Sequence, residues 1–274
     1  MILSWKIFIE SVGEIPITND EAYLKSMSKG ANEKVFFLNK IKSDVIVDFG
    51  CADGQVLKLI EKTNPNIKLI GYDVSKEMIS KARKNVSENV FLTTNWQDVE
   101  KQIQNYKTPT LLLSSVIHEV YSYSTSKEVK DFWEKKVFGG YFKYIVIRDM
   151  IPSTSMEKKE RDLFIEDVNK VKSKFSKEYI ESFEKKWGSM EDNYRTFIHF
   201  LLKYRYTLNW SRENNENYVP ITLETLLRKI PQSYSIKYSK KYTLDILKDR
   251  VLKDFDVVVD HSTHLQMIIE NLNY

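Results

Sequence analysis

Hydrophobic and polar positions follow two rhythms along the first 150 residues. Short apolar or β-branched runs at Val45–Phe49, Lys68–Asp73, Val90–Thr94, Thr110–Ser115 and Tyr144–Asp149 predict strands. Between them, Gln55–Lys62, Lys76–Val86, Asp98–Gln104 and Lys127–Val137 have helical spacing. Ser75, followed by Glu77 and Met78, offers a helix start directly after the second run. Strands alternating with helices of this length predict a parallel sheet with helices on both faces. After Pro152 the rhythm changes. Residues 155–208 are rich in Lys, Glu, Phe and Tyr at helical spacing, with a break at Trp187-Gly188. "SRENNENYVP" reads as a polar loop, "ITLETLLRKI" as a helix, "YSIKYSKKYT" as an alternating strand and "HLQMIIEN" as a final buried strand. The expected organisation is an N-terminal segment, 1–42, and an α/β core from 43–150 and 231–274. A helical insertion, 151–230, follows the fifth strand.

Composition narrows the class. An apolar content of 42% with 13% aromatic residues supports a real core. The net charge of +4 is mild for a dedicated nucleic-acid binder, and the excess leans toward 151–240, with 17 basic against 13 acidic residues. Cys51, the single cysteine, allows neither an internal disulfide nor a thiolate metal cluster. "MILSWKIFIESVG" is broken by Lys6 and Glu10 and makes a poor signal peptide, and no apolar run reaches membrane-spanning length. These features predict a soluble, cytoplasmic protein with no membrane association.

The stretch "VIVDFGCADGQVLKLI", residues 45–60, reads as strand, tight turn and helix. In a parallel α/β fold such a turn contacts a ligand at the carboxyl ends of the strands. A dinucleotide fingerprint wants glycine at 50, 52 and 55, whereas the chain has Gly50, Ala52 and Gln55. Asp48 at the mouth of the turn repels a pyrophosphate and favours a cationic ligand such as an amino-acid ammonium. Asp73, ending the second strand, can accept from ribose hydroxyls. Asn95 offers a donor and an acceptor for an adenine edge, and Trp96 a ring to cover its face. Each residue also has a plain structural reading: Asp48 as a cap, Gly50 and Gly54 in a tight turn, Asp73 as an ordinary carboxylate. Together they point to an aminoacyl-nucleoside without phosphate.

At these residues the chain resembles the class I S-adenosylmethionine-dependent methyltransferases. "VDFGCADG" is similar to their Gly-rich first motif, with Ala52 where glycine is common, and "GYDVSKEMISKAR" to their second. The resemblance covers roughly residues 40–150 and resumes weakly at the last two strands. It implies a Rossmann-like α/β sheet with an antiparallel final strand, S-adenosylmethionine as cofactor and S-adenosylhomocysteine as product. By that resemblance Asp48, Gly50 and Gly54 line the methionyl part, Asp73 the ribose, and Asn95 and Trp96 the adenine. Cys51, Ala52, Val74 and Ser114 complete the cofactor set.

The acceptor side falls in "LLLSSVIHEVYSYS", 111–124, where this family sets residues between cofactor and acceptor. Methyl transfer needs chiefly positioning, and a base only where the acceptor loses a proton. His118 has the intrinsic pKa for that, with Glu119 to orient or replace it. A capping or loop-bonded histidine would read the same. Tyr121 and Tyr123 could line a pocket or pack. Arg148, at the end of the fifth strand, could hold an acceptor carboxylate or phosphate, or pair internally with Asp149. The segment lacks a Pro-Pro-aromatic tetrad, which counts against exocyclic base amines. "FLLKYRYTLNWSRE" interleaves Lys203, Arg205 and Arg212 with Tyr204, Tyr206 and Trp210, a mixture that suits RNA. Phe200, Leu201, Tyr204 and Leu208 also form a helical apolar stripe suited to a core. His261 and His264 lack an acid pair, so no metal is expected. A small-molecule acceptor, methylated on O or N, is favoured. RNA or another nucleic acid is the alternative, and a non-catalytic cofactor-binding subunit or a transferase using a modified sulfonium are the others.

Overall fold

The computed structural model describes residues 33–274, so most of the N-terminal segment and the signal-peptide reading lie outside the described residues. Seven strands form one sheet in the order β3-β2-β1-β4-β5-β7-β6. They are β1 (Val45–Phe49), β2 (Lys68–Tyr72), β3 (Phe91–Thr93), β4 (Pro109–Ser114), β5 (Tyr144–Asp149), β6 (Tyr234–Tyr242) and β7 (His264–Asn271). β1 pairs in parallel with β2 and β4, and β2 with β3, whereas β6 and β7 are antiparallel with an irregularity at Ile236/Tyr238. All five residues of β1 are buried, which is why it is apolar on both faces except at Asp48 and does not alternate.

The chain divides into two compact units, each described by itself. Of the described residues, the first holds 33–114, 140–146 and 274, and the second 115–139 and 147–273. Residues 231–273 thus cluster with the inserted segment and not with residues 43–114.

In the first unit, α1 (Gln55–Thr63), α2 (Lys76–Asn85) and α3 (Trp96–Ile103) follow β1, β2 and β3. Gly54 precedes α1 with φ 80°, a left-handed conformation that glycine takes without strain. Ser75 caps α2 by accepting from the Met78 N–H, as its sequence signal predicts. Leu57, Ile60, Ile70, Ala82, Val99 and Leu111–Leu113 fill the core.

In the second unit, α4 (Ile117–Tyr123) follows β4 and precedes α5 (Ser126–Asp131), which starts in a reciprocal Thr125–Glu128 capping box. The helix expected over Lys127–Val137 changes character midway, because Phe132–Val137 is π-helical. Its wider turn buries Phe132, Trp133 and Val137 together. Residues 155–208 form three helices: α6 (Ile165–Lys174), α7 (Lys177–Trp187) and α8 (Tyr194–Lys203). Gly188, at φ 90°, ends α7 at the predicted break. After the short α9 (Trp210–Glu213) and α10 (Leu223–Lys229) comes α11 (Asp245–Phe255), which the strand-like reading of the C-terminal region passed over. Val168, Val171, Phe183, Phe197 and Phe200 pack with Val251 and Phe255 of α11 in one aromatic-rich cluster. Leu208 leaves the expected stripe and is 83% exposed, because it lies in a 3-10 turn beyond α8.

The tightest place in the first unit is Gly71. A Cβ there would meet Leu92 at 2.6 Å, Leu57 at 2.8 Å and Cys51 Sγ at 2.9 Å. Gly71→Ala is expected to lower stability by about 1–3 kcal/mol. Thermal unfolding of that variant checks the crowding, and an unchanged midpoint would refute it.

Candidate functional site

The predicted cofactor residues gather at the carboxyl ends of the first unit's strands. Gly50 and Ala52 both have positive φ, 76° and 46°, and the Gly50 and Cys51 N–H groups donate to the Tyr72 carbonyl at 2.8 and 3.0 Å. The left-handed backbone at Ala52, unusual for a residue with a Cβ, is held by one bond: its N–H donates to Asp73 Oδ2 at 2.9 Å. Asp73 Oδ1 accepts from the Ser75 N–H at 2.8 Å. One carboxylate therefore fastens the β1–α1 turn to the start of α2.

Asp48 is 2% exposed, and no described residue hydrogen-bonds its side chain. Burial pushes its carboxyl up to about 7, opposed by the charge of Lys34 and reinforced by Asp73. Asp73 is also raised, chiefly by burial, while its two N–H donors pull it back. Cys51 is buried, and the same burial pushes its thiol up, so it is an inert core group and not a nucleophile. Val74, directly after Asp73, is 52% exposed. Asn95 caps α3 by accepting from the Gln97 N–H at 3.2 Å. Trp96 donates to Glu100 at 2.9 Å and meets Phe49 and Tyr72 edge-on at 5.4 and 5.3 Å. Ser114 Oγ, at the end of β4, is buried and has no hydrogen-bond partner among the described residues.

The second unit contains a separate polar centre around His118, which is 6% exposed. Its Nδ1 is 2.9 Å from Oδ1 of the buried Asp149, whose Oδ2 accepts from the Ile117 N–H at 2.7 Å. Its Nε2 faces Glu216 Oε2 at 3.9 Å. Burial works against the imidazolium, but Asp149, Glu119 and Glu216 outweigh it and raise the His118 pKa. Asp149 is lowered despite its burial, through His118 and the Met150 and Ile117 N–H groups. Glu216 Oε1 accepts from Tyr123 at 2.9 Å and from Arg212 Nε at 2.8 Å, and Arg212 reaches Glu119 at 3.5 Å. Lys203 is fully buried and donates to the carbonyls of Glu213 and Glu216 at 2.9 and 2.6 Å, which anchors the segment carrying Glu216. That burial pushes its pKa down to about 7.

Several sequence expectations separate here. His118 and Glu119 come together with Glu216, a residue sequence reading did not single out. Arg148 donates to Ser115 at 2.8 Å and Tyr242 at 3.1 Å, while Asp149 serves His118 instead of pairing with it. Tyr121 accepts from Trp133. Most of the basic and aromatic residues of 203–212 are engaged internally, Lys203 with carbonyls, Tyr204 and Arg205 with Asp254, Trp210 with Ser182 and Arg212 with glutamates, while Tyr206 is exposed. His264 is buried and pushed down to about 3, bonded to Thr263, and His261 pairs with Asp260. Among the described residues, no helix is long and apolar enough to cross a membrane.

A family model described as a methyltransferase domain matches residues 47–135. No curated protein matches the sequence. Among solved structures, the chain is similar to the methyltransferase domain of a bacterial Hen1, CtHen1-C, at 13% identity and TM-score 0.45, over 90% of this chain and 98% of that one. It is also similar to the plantazolicin methyltransferase BamL, crystallised with a triazolic desmethylPZN analog and SAH, at 12% identity and TM-score 0.45, over 92% and 86%. A third is a putative O-methyltransferase of Nostoc punctiforme PCC 73102, at 13% identity and TM-score 0.46, over 91% and 58%.

The raised Asp48 pKa has a stability consequence with a definite sign. The folded state holds its proton up to about 7, whereas the unfolded carboxyl loses it near its ordinary value of 3.8. Stability should therefore fall as pH rises from about 4 to 7 through this group, by an amount on the order of a few kcal/mol. Asp48→Asn removes that loss, so its melting temperature should exceed that of the wild type at pH 8 and approach it at pH 4. Equal melting temperatures at pH 8 would refute the raised pKa of the buried Asp48.

Proposed function

We propose that the chain, whose residues 47–135 match a methyltransferase-domain model, is a class I S-adenosylmethionine-dependent methyltransferase that methylates an O or N nucleophile on a small molecule. Bound S-adenosylmethionine supplies an electrophilic methyl group on a positively charged sulfur. The observation that carries the residue assignment is the Asp73 carboxylate, bonded at once to Ala52 and Ser75. Each of its oxygens keeps a second acceptor direction, which serves the ribose hydroxyls. Asp48, Gly50, Cys51, Ala52 and Gly54 hold the methionyl part, and the buried Asp48 carboxylate, which no described residue hydrogen-bonds, suits the ammonium. Asn95, Trp96 and the exposed Val74 take the adenine. Ser114 Oγ, buried and without a partner among the described residues, supports a polar ligand atom at the end of β4.

On the acceptor side we assign His118 as the group that meets the nucleophile, as base or as positioning residue, with Asp149 fixing its ring. Glu119 and Arg148 complete the acceptor set. Residues 151–230 take part in acceptor choice, a role supported by Glu216 and Arg212, which reach back to His118 and Glu119. The internal engagement of Lys203, Arg205 and Arg212 favours a small molecule over RNA, because those charges are not left for phosphates.

Asp73→Ala should weaken S-adenosylmethionine binding by about 1.5–3 kcal/mol, the range for hydrogen bonds to a charged group. Calorimetry on a variant with a native circular-dichroism spectrum measures it, with NAD as the ligand expected not to bind. Unchanged affinity would remove Asp73 from the cofactor site.

His118→Ala should lower turnover at least tenfold while leaving cofactor affinity within about twofold, since a positioned proton acceptor contributes ~10²–10⁴ in rate. Turnover is read as S-adenosylhomocysteine released from pools of metabolites or RNA. An unchanged rate would end the role of His118. Submicromolar RNA binding that falls steeply with salt would overturn the small-molecule acceptor.

A further inference from the structure

We propose that His118, Glu119 and Glu216 form a divalent-cation site. One ligand atom from each lies within 4.8 Å of the others, a spacing that one ion can span. The imidazole is fixed in the manner of a metal ligand. Asp149 holds Nδ1 at 2.9 Å, which leaves Nε2 as the atom directed at Glu216 Oε2, 3.9 Å away and beyond hydrogen-bond range. Glu216 is fixed in the same way: Tyr123 and Arg212 take Oε1, and Oε2 faces the imidazole.

Asp149 and Glu216 are 1% and 2% exposed, Glu119 is about a third exposed, and Arg212 bonds both glutamates. One imidazole nitrogen with two carboxylates suits Mn²⁺, Mg²⁺ or Zn²⁺. The site rests on the reading of His118 as an acceptor-side group, and it assigns Nε2 to the ion in place of the acceptor proton.

Mn²⁺ titration of the full chain, followed by electron paramagnetic resonance and calorimetry without substrate, tests the site. One ion per chain is expected, weakened at least tenfold by Glu216→Gln and by the partly exposed Glu119→Gln, and unaffected by the exposed Glu134→Gln. Circular dichroism identifies any variant that fails to fold, and Glu119→Gln then decides. No binding of Mn²⁺, Mg²⁺ or Zn²⁺ at millimolar concentration, or binding indifferent to both substitutions, overturns the site. Activity lost in His118→Ala but insensitive to chelators also overturns it, while leaving the methyltransferase role of His118 standing.

Discussion

The Asp73 carboxylate accepts two backbone N–H groups, Ala52 at 2.9 Å and Ser75 at 2.8 Å, and the shape of the β1–α1 turn depends on those bonds. A carboxylate accepting backbone donors at a helix start is a strong, directional interaction. Here it stabilises a turn whose backbone would otherwise be unfavourable, because Ala52 has a Cβ at φ 46°. The same bonds partly offset the burial that raises the pKa of Asp73 itself. Neighbouring constraints converge on this point. Gly71 leaves room for Cys51, Leu57 and Leu92, and the Tyr72 carbonyl receives the Gly50 and Cys51 N–H groups.

The two polar centres solve the problem of buried charge differently. Asp48 is left without hydrogen-bond donors from the described residues, so its pKa rises and folding stability is given up between about pH 4 and 7. In the second unit Asp149 is as deeply buried, yet it is lowered, because His118 and two N–H groups stabilise its charge. A ligand that brings positive charge to Asp48 would restore what burial removes there. Asp149 has its countercharge within the fold and acts through His118. The contrast is between a carboxyl that burial pushes up in one unit and a carboxylate that holds an imidazole in the other.

Much of the strand order along the first 150 residues was legible in the residue pattern. β1 and β5 have the predicted limits, and β2, β3 and β4 differ from prediction by a residue or two at their ends. Other features were not. α4 begins at Ile117 after Val116, with no side-chain cap to announce it. α11 follows directly on a strand, and the alternation of that strand masked the helical spacing of Leu247, Val251 and Phe255. The basic and aromatic mixture of 203–212 looked like a binding surface, but burial and internal acids decided its use.

What the sequence determined by itself was local: buried parallel strands are continuous apolar runs, and the turn residues that shape a cradle stand next to the strands they end. Asp48, Asp73, Asn95 and Ser114 could therefore be found in order along the chain. The partners of His118 were a tertiary decision. Asp149 lies 31 residues away, and Glu216 lies 93 residues beyond the Tyr123 that binds it. No local periodicity links such positions. They meet because packing of the inserted helices, and the fully buried Lys203 anchoring the Glu213–Glu216 carbonyls, hold a distant carboxylate against the imidazole.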